Sequence, residues 1–186
     1  MKVFCIGLNK TGTRSLHEAL QILGLRSAHW GGSDPENAVE RGLEIRLAVE
    51  QALLDGRPLL EDLEDADAYS DILALSTNFD VLDRQYPGSK FILTIRDIDQ
   101  WVDSRRRHVE LNVLRRARGE YSGTFLTVDL EGWRAEMEAH DVRVRAYFAG
   151  RASDLLVMDI SRGDGWELLC PFLGRPRPDV PFPRRA

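Results

Sequence analysis

Lysine occurs only three times in this chain, and one of the three, Lys10, lies inside Gly7-Leu8-Asn9-Lys10-Thr11-Gly12-Thr13-Arg14-Ser15-Leu16. A single ammonium, three hydroxyl side chains and two glycines at that spacing suit the binding of an anion. The apolar run Val3-Phe4-Cys5-Ile6 before the stretch reads as a strand. Leu16, Ala19, Leu20 and Leu23 after it fall on one face of a helix. A strand, a glycine-bearing loop and a helix in that order aim backbone N–H groups and the positive end of a helix dipole at a phosphate. In the common phosphate loop, G-x-x-x-x-G-K-[ST], the lysine follows the second glycine. Here Thr13 takes that place and the lysine has moved into the loop.

A second charged feature belongs to the same rim. Lys90-Phe91-Ile92-Leu93-Thr94-Ile95 is nearly all apolar, the pattern of a strand buried on both faces of a parallel sheet, and Arg96 stands at its C-terminal end. Open parallel sheets bind ligands beyond the carboxyl ends of their strands, so Arg96 and the Lys10 loop are expected side by side. His29, at the end of a predicted short strand over Leu25–Trp30, falls on that rim as a candidate acid or base.

Lys-Thr-Gly-Thr followed by Ser-Leu resembles the 5′-phosphosulfate loop of the sulfotransferases that use 3′-phosphoadenosine 5′-phosphosulfate. The likeness is to the bacterial sulfotransferase-like, P-loop-containing branch. It continues at Arg96, which is followed eight residues later by Ser104, with Asp97 and Trp101 between them. It ends in Arg162-Gly163-Asp164-Gly165-Trp166-Glu167-Leu168-Leu169. The resemblance implies an α/β fold, a three-layer sandwich with a central parallel sheet of the P-loop NTPase-like sulfotransferase kind. It also implies transfer of a sulfuryl group to a hydroxyl or amine of a small-molecule, carbohydrate or lipid acceptor, with adenosine 3′,5′-bisphosphate as product and no metal. Lys10 would then act on the leaving group. Lys10 would also contact the cofactor, and backbone N–H groups of Thr11, Gly12, Thr13, Arg14 and Ser15 would hold the 5′-phosphate. Arg96 and Ser104 would bind the 3′-phosphate through a guanidinium fork and a hydroxyl, and Arg162 would close over the nucleotide. The general base of the family's cytosolic branch is a histidine on the segment here occupied by Tyr69-Ser70-Asp71-Ile72. Other branches place a carboxylate there, which makes Asp71 the first candidate and His29 the second. Two other readings stay open. One is a small-molecule or nucleoside kinase with Asp159 as a magnesium ligand; the other is a non-catalytic nucleotide-binding module.

The remaining elements must position these residues. Helices are expected from Arg14 to Gly24, through Leu43, Leu47, Val49, Ala52 and Leu53, from Thr77 to Tyr86, from Asp99 to Gly119 and from Glu131 to Gly150. A short final helix is expected through Trp166, Leu169 and Phe172. Strands are expected at Lys2–Gly7, Leu59–Leu63 and Leu155–Met158, with turn residues at 31–35. The acidic stretch from Glu61 to Asp71 otherwise reads as a solvated loop, and Arg105-Arg106-Arg107 as a solvated helix face. His17 and His140 read as structural or exposed, and His108, one turn beyond Ser104, shares its face. The 186 residues, 43% hydrophobic, fit one domain. A net charge of −5 argues against a general nucleic-acid binder. Cys5 and Cys170 are too few for a disulfide framework. With no signal-like start and no apolar run of spanning length, a cytoplasmic protein without a membrane span is expected. The oligomeric state is not legible.

Overall fold

The computed structural model describes residues 1–30 and 38–184; the turn expected at 31–35 lies outside them. Five strands form one parallel sheet: β1 (Val3–Cys5), β2 (Ser27–His29), β3 (Ala68–Ser70), β4 (Lys90–Thr94) and β5 (Leu155–Met158), in the order β2-β3-β1-β4-β5. Seven helices accompany them: α1 (Thr13–Ile22), α2 (Ala38–Asp55), α3 (Leu73–Ser76), α4 (Phe79–Gln85), α5 (Ile98–Ala117), α6 (Leu130–Tyr147) and α7 (Trp166–Leu173).

Alternation along β1 fixes the two outer layers, since successive side chains of a strand point to opposite faces. Val3 and Cys5 pack with Leu16 and Leu20 of α1 and Trp166 and Leu169 of α7. Phe4 and Ile6 pack on the other face with Val49 of α2, Leu75 of α3, Leu82 of α4 and Val144 of α6. Helices on both faces of a parallel sheet make the three-layer α/β arrangement that the sequence pattern called for. A third cluster joins Leu8 of the loop to Trp101 and Val109 of α5 and Trp133 of α6. Cys5 and Cys170 are buried and unpaired, and among the described residues no helix is long and apolar enough to cross a membrane.

Two expectations fail because of partners distant in the sequence. Leu59–Leu63 is not a strand. The N–H groups of Leu59 and Leu60 donate to Gln85 Oε1 (2.9 Å) and Tyr86 Oη (3.1 Å). Those of Glu61 and Leu63 turn back on Pro58 and Leu60. The missing strand is β3, inside the acidic stretch taken for a loop. Ala68, Tyr69 and Ser70 are buried, and the carboxylates ahead of them are neutralised, Asp65 by Lys2 and Arg26, Asp67 by Arg26. The helix expected from Thr77 to Tyr86 is α4, and a separate short helix that was not expected, α3, precedes it. Thr77 Oγ1 and Asn78 Nδ2 donate to the carbonyls of Leu73 (2.9 Å) and Ala74 (2.8 Å) and stop α3 there.

Parallel pairing brings the carboxyl ends of the strands together. Cys5 pairs with Ile92, His29 with Ser70 and Thr94 with Met158. Just past Cys5, Thr94 leaves no room for a side chain on Gly7. A Cβ on Gly7 would lie 1.9 Å from Thr94 Oγ1 and 2.6 Å from its carbonyl oxygen. Gly7→Ala therefore forces backbone apart in the middle of the sheet, and a loss of about 3 kcal/mol or more in urea-denaturation stability is expected. An alanine variant as stable as the parent would contradict this packing.

Candidate active site

The loop between β1 and α1 is shaped by its carbonyls. Thr11 Oγ1 donates to the carbonyl of Leu8 (2.5 Å), Trp101 Nε1 to that of Asn9 (2.7 Å) and Arg96 Nη1 to that of Lys10 (3.2 Å). In a planar trans peptide the N–H points opposite to the C=O. Three successive carbonyls turned into the protein thus leave the N–H groups of Asn9, Lys10 and Thr11 directed the other way, as in an anion-binding nest. Gly12, left-handed at φ 102°, starts α1 with no side-chain cap and no acidic residue in the first turn. That end of the helix keeps its partial positive charge. A Cβ on Gly12 would come within 3.1 Å of Ile160, so glycine is needed here for both conformation and space. Thr11 is buried with its hydroxyl 2.6 Å from Thr94 Oγ1, which leaves only its backbone for a ligand. Thr13 and Ser15 are buried and Arg14 is exposed.

Among the described residues, Lys10 and Asp71 are the non-glycine residues in the left-handed region, at φ 66° and φ 57°. Such conformations cost about 1–3 kcal/mol and cluster at functional sites. Both were singled out from the sequence. Burial holds the Lys10 ammonium below the usual lysine range, opposed by the charge of Asp71 and assisted by that of Arg14. Burial raises the Asp71 carboxyl above the usual range, opposed by His29, by the hydrogen bond from Thr13 and by Lys10 and Arg14. Asp71 is thus tied to the loop through Thr13 Oγ1 (3.1 Å to Oδ1).

The pairing of β2 with β3 puts His29 next to Asp71, with His29 Nε2 3.5 Å from Asp71 Oδ2. That nitrogen is buried and has no hydrogen-bond partner among the described residues, while Nδ1 lies 3.1 Å from the carbonyl of Trp30. The two residues kept as alternative bases therefore form one pair. Behind them His17 packs its ring 5.1 Å from that of His29 and is 2.8 Å from Ser27 Oγ. Helical spacing from His17 to the inward-facing Leu16 and Leu20 concealed this contact.

Arg96 lies beside the loop, as expected, and its buried Nε has no partner among the described residues. Ser104 is on α5, on the same face as Trp101 and His108. Its hydroxyl makes no hydrogen bond among the described residues, and no hydrogen bond joins it to Arg96, which bonds the carbonyl of Lys10. His108 is close enough to Lys10 to be affected by its charge. Arg162 ends the short 3₁₀ turn after β5 on the same edge of the sheet. Its side chain is 73% exposed and 3.6 Å from Asp159, and it does not reach the loop. Asp159 caps that turn, accepting from Ser161 Oγ (2.5 Å) and the Arg162 N–H (3.1 Å). The arginine run divides: Arg106 and Arg107 pair with Asp103 in solvent. Arg105, expected on a solvated face, is buried over Trp101, Phe125 and Trp133, with Glu136 at 2.8 Å.

Two cavities adjoin this edge. One, of about 390 Å³, lies between the end of β4 and α6, with Thr11 and Arg96 in its wall. The other, about 200 Å³, lies between His29 and α2.

A family model described as a sulfotransferase domain matches residues 2–122 and 112–186. No curated protein matches the chain.

The histidines of the site give stability a pH dependence. Burial, with His29 beside it, pushes His17 down to about 4. Burial and the Lys10 charge push His108 down to about 4. Burial also lowers His140, whose Nε2 is 2.7 Å from the carbonyl of Ile6. The folded chain therefore binds fewer protons than the unfolded chain below the ordinary histidine value. Stability should fall as pH drops from about 6.5 toward 4. Asp71, shifted up, works in the opposite direction but is one group against three. The urea midpoint should be lower at pH 5 than at pH 7, and His17→Asn with His108→Asn should flatten the slope. An unchanged slope in the double variant would remove this assignment.

Proposed function

We propose that this chain, which belongs to the sulfotransferase domain family, moves the sulfuryl group of 3′-phosphoadenosine 5′-phosphosulfate onto a hydroxyl or amine of an acceptor. The observation that carries the reading is the left-handed Lys10 in a loop whose three preceding and shared carbonyls are all held by protein donors. That arrangement is built for an anion. The partners of its second anchor, Arg96, leave one buried donor, Nε, for a ligand.

When bound, the donor nucleotide supplies an activated sulfuryl group and a phosphate that leaves with adenosine 3′,5′-bisphosphate. The chain's own contributions are positioning and charge, as in phosphoryl transfer. Backbone N–H groups along Thr11–Ser15 and the α1 terminus hold the 5′-phosphate. The Lys10 ammonium sits where negative charge grows on the oxygen that parts from sulfur. Arg96 and Ser104 take the 3′-phosphate, which fixes the far end of the nucleotide. Asp71 and His29 receive the proton of the acceptor, and burial, which raises the Asp71 carboxyl, makes its carboxylate a stronger base than an ordinary one. Arg162, turned toward solvent, reaches the nucleotide only if its side chain swings inward. Asp159 is committed as a cap, which disfavours the kinase alternative.

Adenosine 3′,5′-bisphosphate without metal should raise the melting temperature, as any ligand of the native state does, and ATP with magnesium should do much less. The reverse order would end the sulfotransferase reading. Arg96→Ala should weaken binding about tenfold or more through the lost charged hydrogen bonds and reduce the preference for a 3′-phosphate.

Lys10→Ala should lower sulfuryl transfer by about 10²–10³ while changing affinity for the bisphosphate far less, because its action is largest in the transition state. Steady-state turnover on a phenol, together with bisphosphate titration, separates the two quantities. Near-normal turnover in Lys10→Ala would reduce the loop to a phosphate cradle.

A further inference from the structure

The smaller cavity adjoins the proposed base pair. Ile45 and Ala48 of α2, with Leu63 and Ile72, give it apolar walls, and His29 lines it on the side of Asp71. His29, Asp71 and Thr13 thus connect this cavity to the phosphate loop through contacts of 3.5 Å and 3.1 Å. At about 200 Å³ it is smaller than the roughly 300–1,000 Å³ of pockets that take drug-sized ligands, so its occupant is small.

Its solvent side is charged. Arg41, Glu44, Asp62 and Glu64 are exposed there. Asp62 shares Arg57 with Asp55 and Glu61, so one guanidinium faces three carboxylates. Among the described residues that line the mouth, Glu44, Asp62 and Glu64 set three carboxylates against the single guanidinium of Arg41. The cations of the site, Lys10, Arg14 and Arg96, all belong to the loop and to the β4 end. The anionic donor and the acceptor thus meet surfaces of opposite sign.

On the premise of the sulfuryl transfer proposed above, we infer that the acceptor is a small hydroxyl-bearing amine, its apolar body between α2 and the ends of β2 and β3, its hydroxyl at His29 and Asp71, and its ammonium at the acidic mouth. The protonated amine has no lone pair to attack with, so the hydroxyl is the reacting group. Its oxygen bonds to sulfur and the bond from sulfur to the 5′-phosphate oxygen breaks. That oxygen keeps the electron pair, and the hydroxyl proton passes to the His29–Asp71 pair.

Three probes share a phenol and differ in charge: tyramine, 4-ethylphenol and 4-hydroxyphenylacetate. Calorimetric titration into the full chain saturated with adenosine 3′,5′-bisphosphate, at low salt, should rank tyramine first. Its affinity should exceed that of 4-hydroxyphenylacetate about tenfold, with 4-ethylphenol between, since several weak exposed charge contacts add. The gap should narrow at about 0.5 M salt. Glu44→Gln combined with Glu64→Gln, both at exposed positions that leave the fold intact, should shrink the gap while leaving bisphosphate affinity unchanged. Equal or tighter binding of 4-hydroxyphenylacetate, or a gap that survives the double substitution, overturns the inference. The same titrations without nucleotide report on the cavity alone. Absence of bisphosphate binding with tyramine preference intact would therefore sink the donor reading while leaving the cavity as a site for a hydroxyl-bearing amine.

Discussion

Two threonine hydroxyls 2.6 Å apart, on Thr11 and Thr94, hold the loop against the sheet, and much of the site follows from that contact. Thr94 occupies the space where a side chain at position 7 would lie, which is why the loop begins with glycine. With Thr11 also bonded to the carbonyl of Leu8, the chain must reverse within two residues. Lys10 takes the left-handed turn that this requires. Arg96 and Trp101, on either side of the start of α5, then secure the two carbonyls that remain. Of the hydrogen bonds that define the loop, the one from Thr11 to Leu8 is internal, and the others come from Thr94 of β4, from Arg96 between β4 and α5, and from Trp101 of α5.

The frame was legible because its residues announce themselves locally. Apolar runs bounded by Gly7 and Arg96 marked β1 and β4, and the position of Lys10 marked the loop. β3 was concealed because its three buried residues follow carboxylates whose cations, Lys2 and Arg26, lie far away in the chain. The strand expected at Leu59–Leu63 failed for the same reason in reverse, since Gln85 and Tyr86, distant in sequence, take its backbone donors. Within the site, the types of Asp71 and His29 were readable. Their pairing depends on the register of β2 against β3, which no short motif encodes. Arg162 shows the limit of a motif: the motif names the residue, while its side chain is turned to solvent beside Asp159.

The strand order separates two electrostatic environments. β1 and β4 at the centre carry the loop and Arg96, while β2 and β3 end in His29 and Asp71 with Glu44, Asp62 and Glu64 at the cavity mouth beyond them. Asp71 stands on the boundary. Burial disfavours its charge, and Lys10, Arg14 and His29 favour it, so its proton affinity is set by residues from both sides. Any change in the charge of a bound group on either side acts directly on this carboxyl.

Arg105 is one of three adjacent arginines, and its surroundings give that position a different history from its neighbours. Its guanidinium lies 4.7 Å, 5.2 Å and 4.9 Å from the ring centres of Trp101, Phe125 and Trp133, and Trp101 is the same residue that bonds the loop at Asn9. A flat cation stacked among indoles is not replaceable by a compact ammonium, whereas a neighbour paired in water exchanges freely for lysine. Drift among descendants of this chain should therefore erode the repeat at its second and third positions and spare the first, leaving a solitary arginine whose importance its sequence context no longer signals.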